Sequence, residues 1–351
     1  MVRSFVPMRR AALAPALLLA LTCPAHAQET SPAPRDLLAR EFGTSGLTAD
    51  MNSDELFGAV QARLGAYGAA SASPALSLAN LVLPSHVTVP ISEDGRWVVK
   101  LGAAEILGTA ADHGARLSDS ASTTSLAQIQ YRPWAGTLIG VGATYESNVV
   151  HAGGGARITM TGAGVRFDLL QRLGDHAGLA LKASWLDGTT GFNLPAIGLS
   201  YRASDPRLYA QAGLIGNFSA RDMGWIPQGW SLRPAAHLVI QHSTQAQTIN
   251  SYHQSVPREV SDYAMAMLTA RLQREVRASY HLAPFIEAGG EFRLRDRLGG
   301  AASDPALAYL RAGATMRAGR WGFFDAYLAH HDSLDGRMRA NVVEMLASFT
   351  F

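Results

Sequence analysis

Residues 306–318 restrict the possible folds more than any other stretch of this chain. Ala306, Ala308, Leu310, Ala312, Ala314 and Met316 share one parity, while Tyr309, Arg311, Gly313, Thr315 and Arg317 share the other. Successive side chains of an extended strand point to opposite faces, so an aliphatic face backs onto one that carries two arginines. Strands of soluble domains average ~5–6 residues, whereas a tilted strand needs ~9–11 to cross hydrocarbon. Alternation kept up over this length suits a membrane crossing.

The pattern recurs. Ala264, Ala266, Leu268, Ala270 and Leu272 alternate with Thr269, Arg271 and Gln273, and Leu282, Ile286, Ala288, Phe292 and Leu294 with Glu287, Glu291 and Arg293. Leu208, Ala210, Ala212 and Leu214 alternate with Tyr209 and Gln211, and Ile139, Val141, Ala143 and Tyr145 with Gly140, Thr144 and Glu146. In hydrocarbon every backbone N–H and C=O needs a partner, so strands span it only in a sheet closed on itself. The expected fold is all-β: an antiparallel transmembrane β-barrel, greasy outside and polar inside, with a short helical N-terminal segment. Glu105, Glu146, Glu287, Glu291, Arg166, Arg293, Arg311 and Arg317 are assigned to inner faces, where they would set ion preference in a pore or pair across a plugged lumen. Tyr131, Trp134, Tyr145, Trp185, Tyr201, Trp225, Trp230, Trp321 and Tyr327 lie mostly near strand ends, as interfacial girdles require.

The N-terminus supplies the address. Arg9 and Arg10 precede an apolar run from Ala11 to Leu21, and Ala25-His26-Ala27 gives the small residues of a cleavage site. Residues 1–27 therefore read as a signal peptide. Cys23, the single cysteine, lies inside it, so the mature chain has no disulfide to hold it. Without Arg3, Arg9 and Arg10 the mature chain has 27 basic against 28 acidic side chains. This near-neutral balance excludes a nucleic-acid footprint. Residues 28–95 form an N-terminal periplasmic or lumen-plugging segment. Its best helix is capped by Asn52 or Ser53, with Asp54 and Glu55 in the first turn and Leu56, Val60, Leu64 and Tyr67 on one stripe. His86 to Ile91 and Trp97 to Leu101 flank a Ser92-Glu93-Asp94-Gly95 turn that reads as a hairpin. Residues 96–351 form the barrel.

Strand-like segments centre near Trp97, Leu126, Ile139, Val165, Leu181, Leu199, Leu214, Leu238, Leu268, Ile286, Leu310, Phe324 and Val343. Bacterial single-chain barrels have an even number, so the expectation is 12 strands, with 14 possible. Residues 132–136, 173–177, 276–279 and 318–320 read as periplasmic turns, and 244–259, 295–304 and 331–337 as outer loops.

The run Gly229-Trp230-Ser231-Leu232-Arg233-Pro234, the stretch Leu282 to Arg293, and the ending Ala347-Ser348-Phe349-Thr350-Phe351 resemble the translocator β-domain of autotransporters. The resemblance covers roughly residues 120–351. It implies a 12-stranded barrel crossed by a helix, in the bacterial outer membrane, with the C-terminal strand read by the barrel assembly machinery and lipid and lipopolysaccharide as neighbours. The likeness is nearest to solitary barrels of this type without a passenger, so a structural, transport or pore role is expected.

Chemistry is sparse. His330-His331-Asp332-Ser333 invites an alternative reading as a lipid hydrolase at the barrel rim, with His331 and Ser333 on one face, and His242-Ser243 is a second, weaker pair. No residue is assigned as catalytic, cofactor-binding or metal-binding. His113, His151 and His253 are scattered without ligand spacing, and Gly153-Gly154-Gly155 lacks the strand-to-helix context of a phosphate cradle. A soluble periplasmic β-protein is a third reading.

Overall fold

The computed structural model describes residues 76–112, 115–275, 282–297, 306–318, 322–334, 336 and 338–350. The expected signal peptide, the helix near Ser53, Trp321 and Phe351 lie outside these. The described chain is all β apart from two single-turn 3₁₀ segments, Gly153–Gly155 and Pro195–Ile197. Its strands are β1 (Leu76–Pro90), β2 (Trp97–Asp112), β3 (Ala115–Tyr131), β4 (Thr137–Ala152), β5 (Arg157–Arg172), β6 (Ala177–Leu194), β7 (Leu199–Ser204), β8 (Arg207–Gly216), β9 (Phe218–Ser219), β10 (Trp230–Gln245), β11 (Thr248–Ile249), β12 (Ser255–Val256), β13 (Glu259–Arg274), β14 (Leu282–Arg297), β15 (Ala306–Ala318), β16 (Gly322–Ser333) and β17 (Met338–Thr350).

The sheet closes on itself with thirteen crossings, because β7 and β8 both pair with β6 and form one crossing interrupted at Asp205-Pro206. This corrects the expected 12. The segments near Leu199 and Leu214 are one crossing, and the strand beginning at Leu76 joins the barrel. All crossing-to-crossing pairings are antiparallel except the last, where β1 runs parallel to β17 from Leu76↔Met338 to Thr88↔Thr350. An odd number of up-and-down strands cannot close any other way.

Burial is inverted relative to a soluble barrel. Val141, Val165, Leu214, Leu268, Leu310 and Leu328 are exposed outside, while Lys100, Glu291 and Glu344 are 0% exposed inside. An outer surface of large apolar side chains is matched to hydrocarbon. One end of the barrel carries Trp97, Trp134, Trp225 and Trp230, with Trp97 and Tyr131 rings 4.5 Å apart. At the other end the strands run on into hydroxyl-rich stretches: Ser118, Ser120, Ser122 and Thr124 on β3, Thr159 and Thr161 on β5, Thr189 and Thr190 on β6. Turns 132–136 and 173–176 fall at the tryptophan rim and 246–258 at the hydroxyl rim, in keeping with their expected division; residues 276–279, most of 295–304 and part of 331–337 lie outside the described residues. The hairpin at Ser92 to Gly95 forms as read. Gly95 adopts φ 65, and the Asp94 carboxylate, accepting from the Ser92 hydroxyl and the Arg96 N–H, is held below its usual pKa.

Close strand contact is built in by sequence. At Gly164 on β5 a Cβ would run into the Trp185 carbonyl oxygen of β6, so only glycine fits there. Apolar clusters line the lumen near each rim. Leu138, Leu170, Ala180 and Ile215 pack near the tryptophan rim, and Leu78, Ala110, Leu307, Met338 and Ala340 near the hydroxyl rim across the seam.

Candidate functional site

The lumen between these clusters concentrates the chain's charge. Strand parity turns Glu287 of β14, Tyr309 and Arg311 of β15, Tyr327 of β16 and Glu344 of β17 inward, and register brings them into one network. Arg311 lies 2.6 Å from Glu287 Oε2, the Tyr309 hydroxyl donates to Glu287 Oε1 at 2.6 Å, and the Tyr327 hydroxyl donates to Glu344. The Arg311 guanidinium also sits 4.4 Å over the Tyr327 ring, and that of Arg271 lies 3.6 Å over Phe285. Gln273 donates to the Thr315 hydroxyl at 2.8 Å, and Thr315 to Asp325. Buried charges survive when each has a partner of opposite sign and its remaining hydrogen-bonding positions are filled. Here the partners come from five consecutive strands.

A second network occupies β4 to β8. Arg207 lies 3.2 Å from Glu146 and 4.0 Å from Asp205, which accepts from Thr190 at 2.6 Å. Arg166 meets Asp168 two residues on along the same strand face, through two bonds of 2.8 and 3.2 Å. His331 Nδ1 stands 3.5 Å from Glu291, its ring stacked on Tyr309. Among the described residues both signs are interleaved, and the wall presents no single-sign ring.

Of the residues expected inside, Glu146, Glu287, Glu291, Arg166, Arg293 and Arg311 are there, and the Arg317 side chain lies outside the described set. Glu105 is not inside. It alternates with buried Ile106 and points outward beside Leu83 and Thr123, its cross-strand partners. Tyr327 is not a girdle residue; it is buried in the lumen between outward-facing Ala326 and Leu328. Lys100, at 0% exposure, was missed because apolar residues surround it on both faces of β2, leaving no alternation to read.

The rim cluster divides. His331 and Ser333 do share a face, but it is the lumen face, where the Ser333 hydroxyl accepts from the Met338 N–H at 2.8 Å. His330 faces out, with Nδ1 2.8 Å from Asn341 and Nε2 2.9 Å from Asp332. In the second pair Ser243 points inward, while His242 and Thr244 share the outer face. His242 Nδ1 is 2.6 Å from Asp262 Oδ1 on β13, and Nε2 is 3.2 Å from Thr244 Oγ1. Arg295 holds the other Asp262 oxygen at 2.7 Å. This hydroxyl, imidazole and carboxylate line up in the order of a nucleophile, its base and the base's orienting acid. Asp262 is twenty residues from His242, and only strand register joins them. Among the described residues no group of His, Cys, Asp and Glu could hold a metal ion.

No protein-family model matches the sequence, and no curated protein is similar to it. Among solved structures, the chain is similar to three autotransporter barrels. The translocator domain of NalP from Neisseria meningitidis is 12% identical, with TM-score 0.49, over 82% of this chain and 94% of that one. The β-domain of BrkA from Bordetella is 14% identical, with TM-score 0.42, over 67% and 90%. The transport unit of AIDA-I from Escherichia coli is 11% identical, with TM-score 0.43, over 80% and 94%. The strand pairing itself makes the structure a closed β-barrel, and these translocator domains are what it is similar to.

Proposed function

We propose that this chain is an outer-membrane barrel of the autotransporter-like type with a structural or transport role, its lumen kept closed by the residues that precede Leu76. One observation carries this reading. Barrels of eight strands are just filled by their own side chains, while those of ~16–18 leave an aqueous channel. Thirteen crossings lie between, and wall side chains alone would leave space along the axis. Yet Lys100, Glu291 and Glu344 have no accessible surface. Residues 28–75 are the remaining length of mature chain, and they join β1 at the hydroxyl rim, which we take as the outer end because strands extend beyond the apolar belt there. A segment exported with its signal peptide reaches that end by passing through the lumen. The test is planar-bilayer recording of the full chain against one lacking residues 53–67. The full chain is expected to stay closed and the deletion to conduct; equal conductance from both would sink the reading.

A second reading, ester hydrolysis at the outer rim, is favoured by the Thr244, His242 and Asp262 alignment. In that chemistry the Thr244 oxygen attacks an ester carbonyl carbon while His242 takes its proton and returns it to the departing alkoxide. Water then repeats the sequence and releases the acid. Release of nitrophenol from p-nitrophenyl palmitate in detergent micelles is expected to fall by about 100-fold or more in Thr244→Ala. A rate in the unaltered protein no higher than in the variant would dismiss the activity.

A further inference from the structure

The outer wall of β5, β6 and β7 carries a groove at the hydroxyl rim whose chemistry none of the preceding uses. It encloses about 320 Å³, and its polar lining comprises Arg157, Thr159, Thr161, Thr189, Asn193 and Arg202. Parity explains how these meet. Arg157, Thr159 and Thr161 are outward residues of β5, Thr189 and Asn193 of β6, and Arg202 pairs with Gly191 across the β6–β7 ladder. The Arg202 guanidinium donates to Thr189 at 3.1 Å, and the Thr189 and Thr161 hydroxyls share a bond of 3.2 Å. Phe192 and Tyr201 stack at 5.5 Å and brace the groove.

The groove brings two arginines together. Several other exposed arginines of the rims and turns are neutralised, Arg116 by Asp119, Arg295 by Asp262, Arg339 by Asp332 and Arg96 by Asp94, while the loop residues Arg221 and Arg258 are not. Among the described residues neither Arg157 nor Arg202 makes an ion pair. Two uncompensated guanidinium groups therefore converge on a hydroxyl-lined hollow, on the outside of the barrel. Below them along the outer face of β6 come exposed Asp187 and then half-exposed Trp185, and below these Leu181 and Leu179, which mark where the apolar belt begins. Guanidinium forks match phosphate oxygens bidentately, and threonine hydroxyls donate to the remainder.

The geometry points to a binding site for the phosphate monoester of an anionic lipid headgroup, with Arg157 and Arg202 gripping the phosphate and the acyl chains descending past Trp185. The phosphate sits at headgroup height while its tails stay in hydrocarbon, so the same site selects amphiphiles over soluble anions. The inference rests on the outer-membrane reading, which heat-modifiable migration on an unboiled gel tests separately.

Native mass spectrometry of the full chain in detergent, titrated with diphosphorylated lipid A, is the experiment. Bound lipid A is expected on the unaltered protein, with at least tenfold weaker binding for lipid A stripped of its phosphates, a comparison that needs no variant to fold. Arg157→Gln combined with Arg202→Gln should cost about as much, on protein that still migrates as a folded barrel. Inorganic phosphate at millimolar concentration is expected to compete weakly. Complete displacement of lipid A by it would show that a free phosphate is the preferred occupant and overturn the lipid assignment. Equal binding of phosphorylated and stripped lipid, or full retention by the double variant, would overturn the site itself.

Discussion

The antiparallel wall from β4 to β6 and the parallel seam between β1 and β17 are both parts of one closed sheet, yet they are held together differently. Along the wall the ladders are unbroken, from Thr137↔Gln171 to His151↔Arg157 and from Arg157↔Asn193 to Arg172↔Gly178. Glycines bring strands close, and ion pairs lie on the inner face. At the seam the pairing is interrupted at Leu83 and Pro84, since proline has no N–H to donate. Inward at the seam, Leu78 and Val82 pack with Met338, Ala340, Ile106 and Val342, the buried Asn80, Thr88 and Glu344 share that face, and one polar bond, His86 to Ser348 at 2.7 Å, crosses it. The wall carries ion pairs as well as full ladders, while the seam leans more on apolar contact between β1 and β17. The strands from β2 to β17, taken alone, form an even antiparallel set, so β1 is the strand whose insertion makes the count odd.

This contrast can be broken from either side. The largest effect is expected on the charged inner face, where Glu287→Ala removes the carboxylate that Arg311 and the Tyr309 hydroxyl both contact. It should lower unfolding stability by about 3–5 kcal/mol, read from denaturant midpoints in lipid vesicles. In the seam, Leu78→Ala removes a fully buried side chain from the apolar cluster and should cost about 2–5 kcal/mol, with the midpoint shift insensitive to salt. Gly164→Val in the wall forces β5 and β6 apart at the Trp185 carbonyl and should cost about 1–3 kcal/mol, along with slower assembly on the unboiled gel. Pro84→Val should do the reverse at the seam, restoring a ladder donor and raising the midpoint by less than about 1 kcal/mol. A large loss from Pro84→Val would mean that β1 is held more rigidly than its broken ladder implies.

The same division governs what could be read in the sequence. Faces were legible wherever charge alternates with aliphatic residues, as in β13, β14 and β15, because the period of two is carried by side chains of opposite character. They were illegible in β2, where Val98 and Ile106 point in and Val99 and Leu107 point out, so Glu105 was assigned by its charge and not by its neighbours. The crossing that holds Leu199 and Leu214 reads as two segments in the sequence because Asp205-Pro206 breaks its pattern as a turn would. β1 was recognised only from His86 onward, since Pro84 interrupts it as well. The inner networks and the Thr244 to Asp262 alignment depend on register between strands, which periodicity within a strand does not encode.

The parallel closure is the central structural claim, and its most direct test uses paired cysteines in a barrel whose described residues contain none. Leu81 and Val343 face each other across the seam, at the ~4.7–4.9 Å spacing of neighbouring strands, within reach of a disulfide. Leu81→Cys with Val343→Cys should cross-link on mild oxidation in folded, unboiled protein, whereas Val343→Cys with any cysteine along β2 should not. A cross-link from β17 to β2, with none to β1, would mean that the barrel closes on twelve strands and that β1 lies elsewhere.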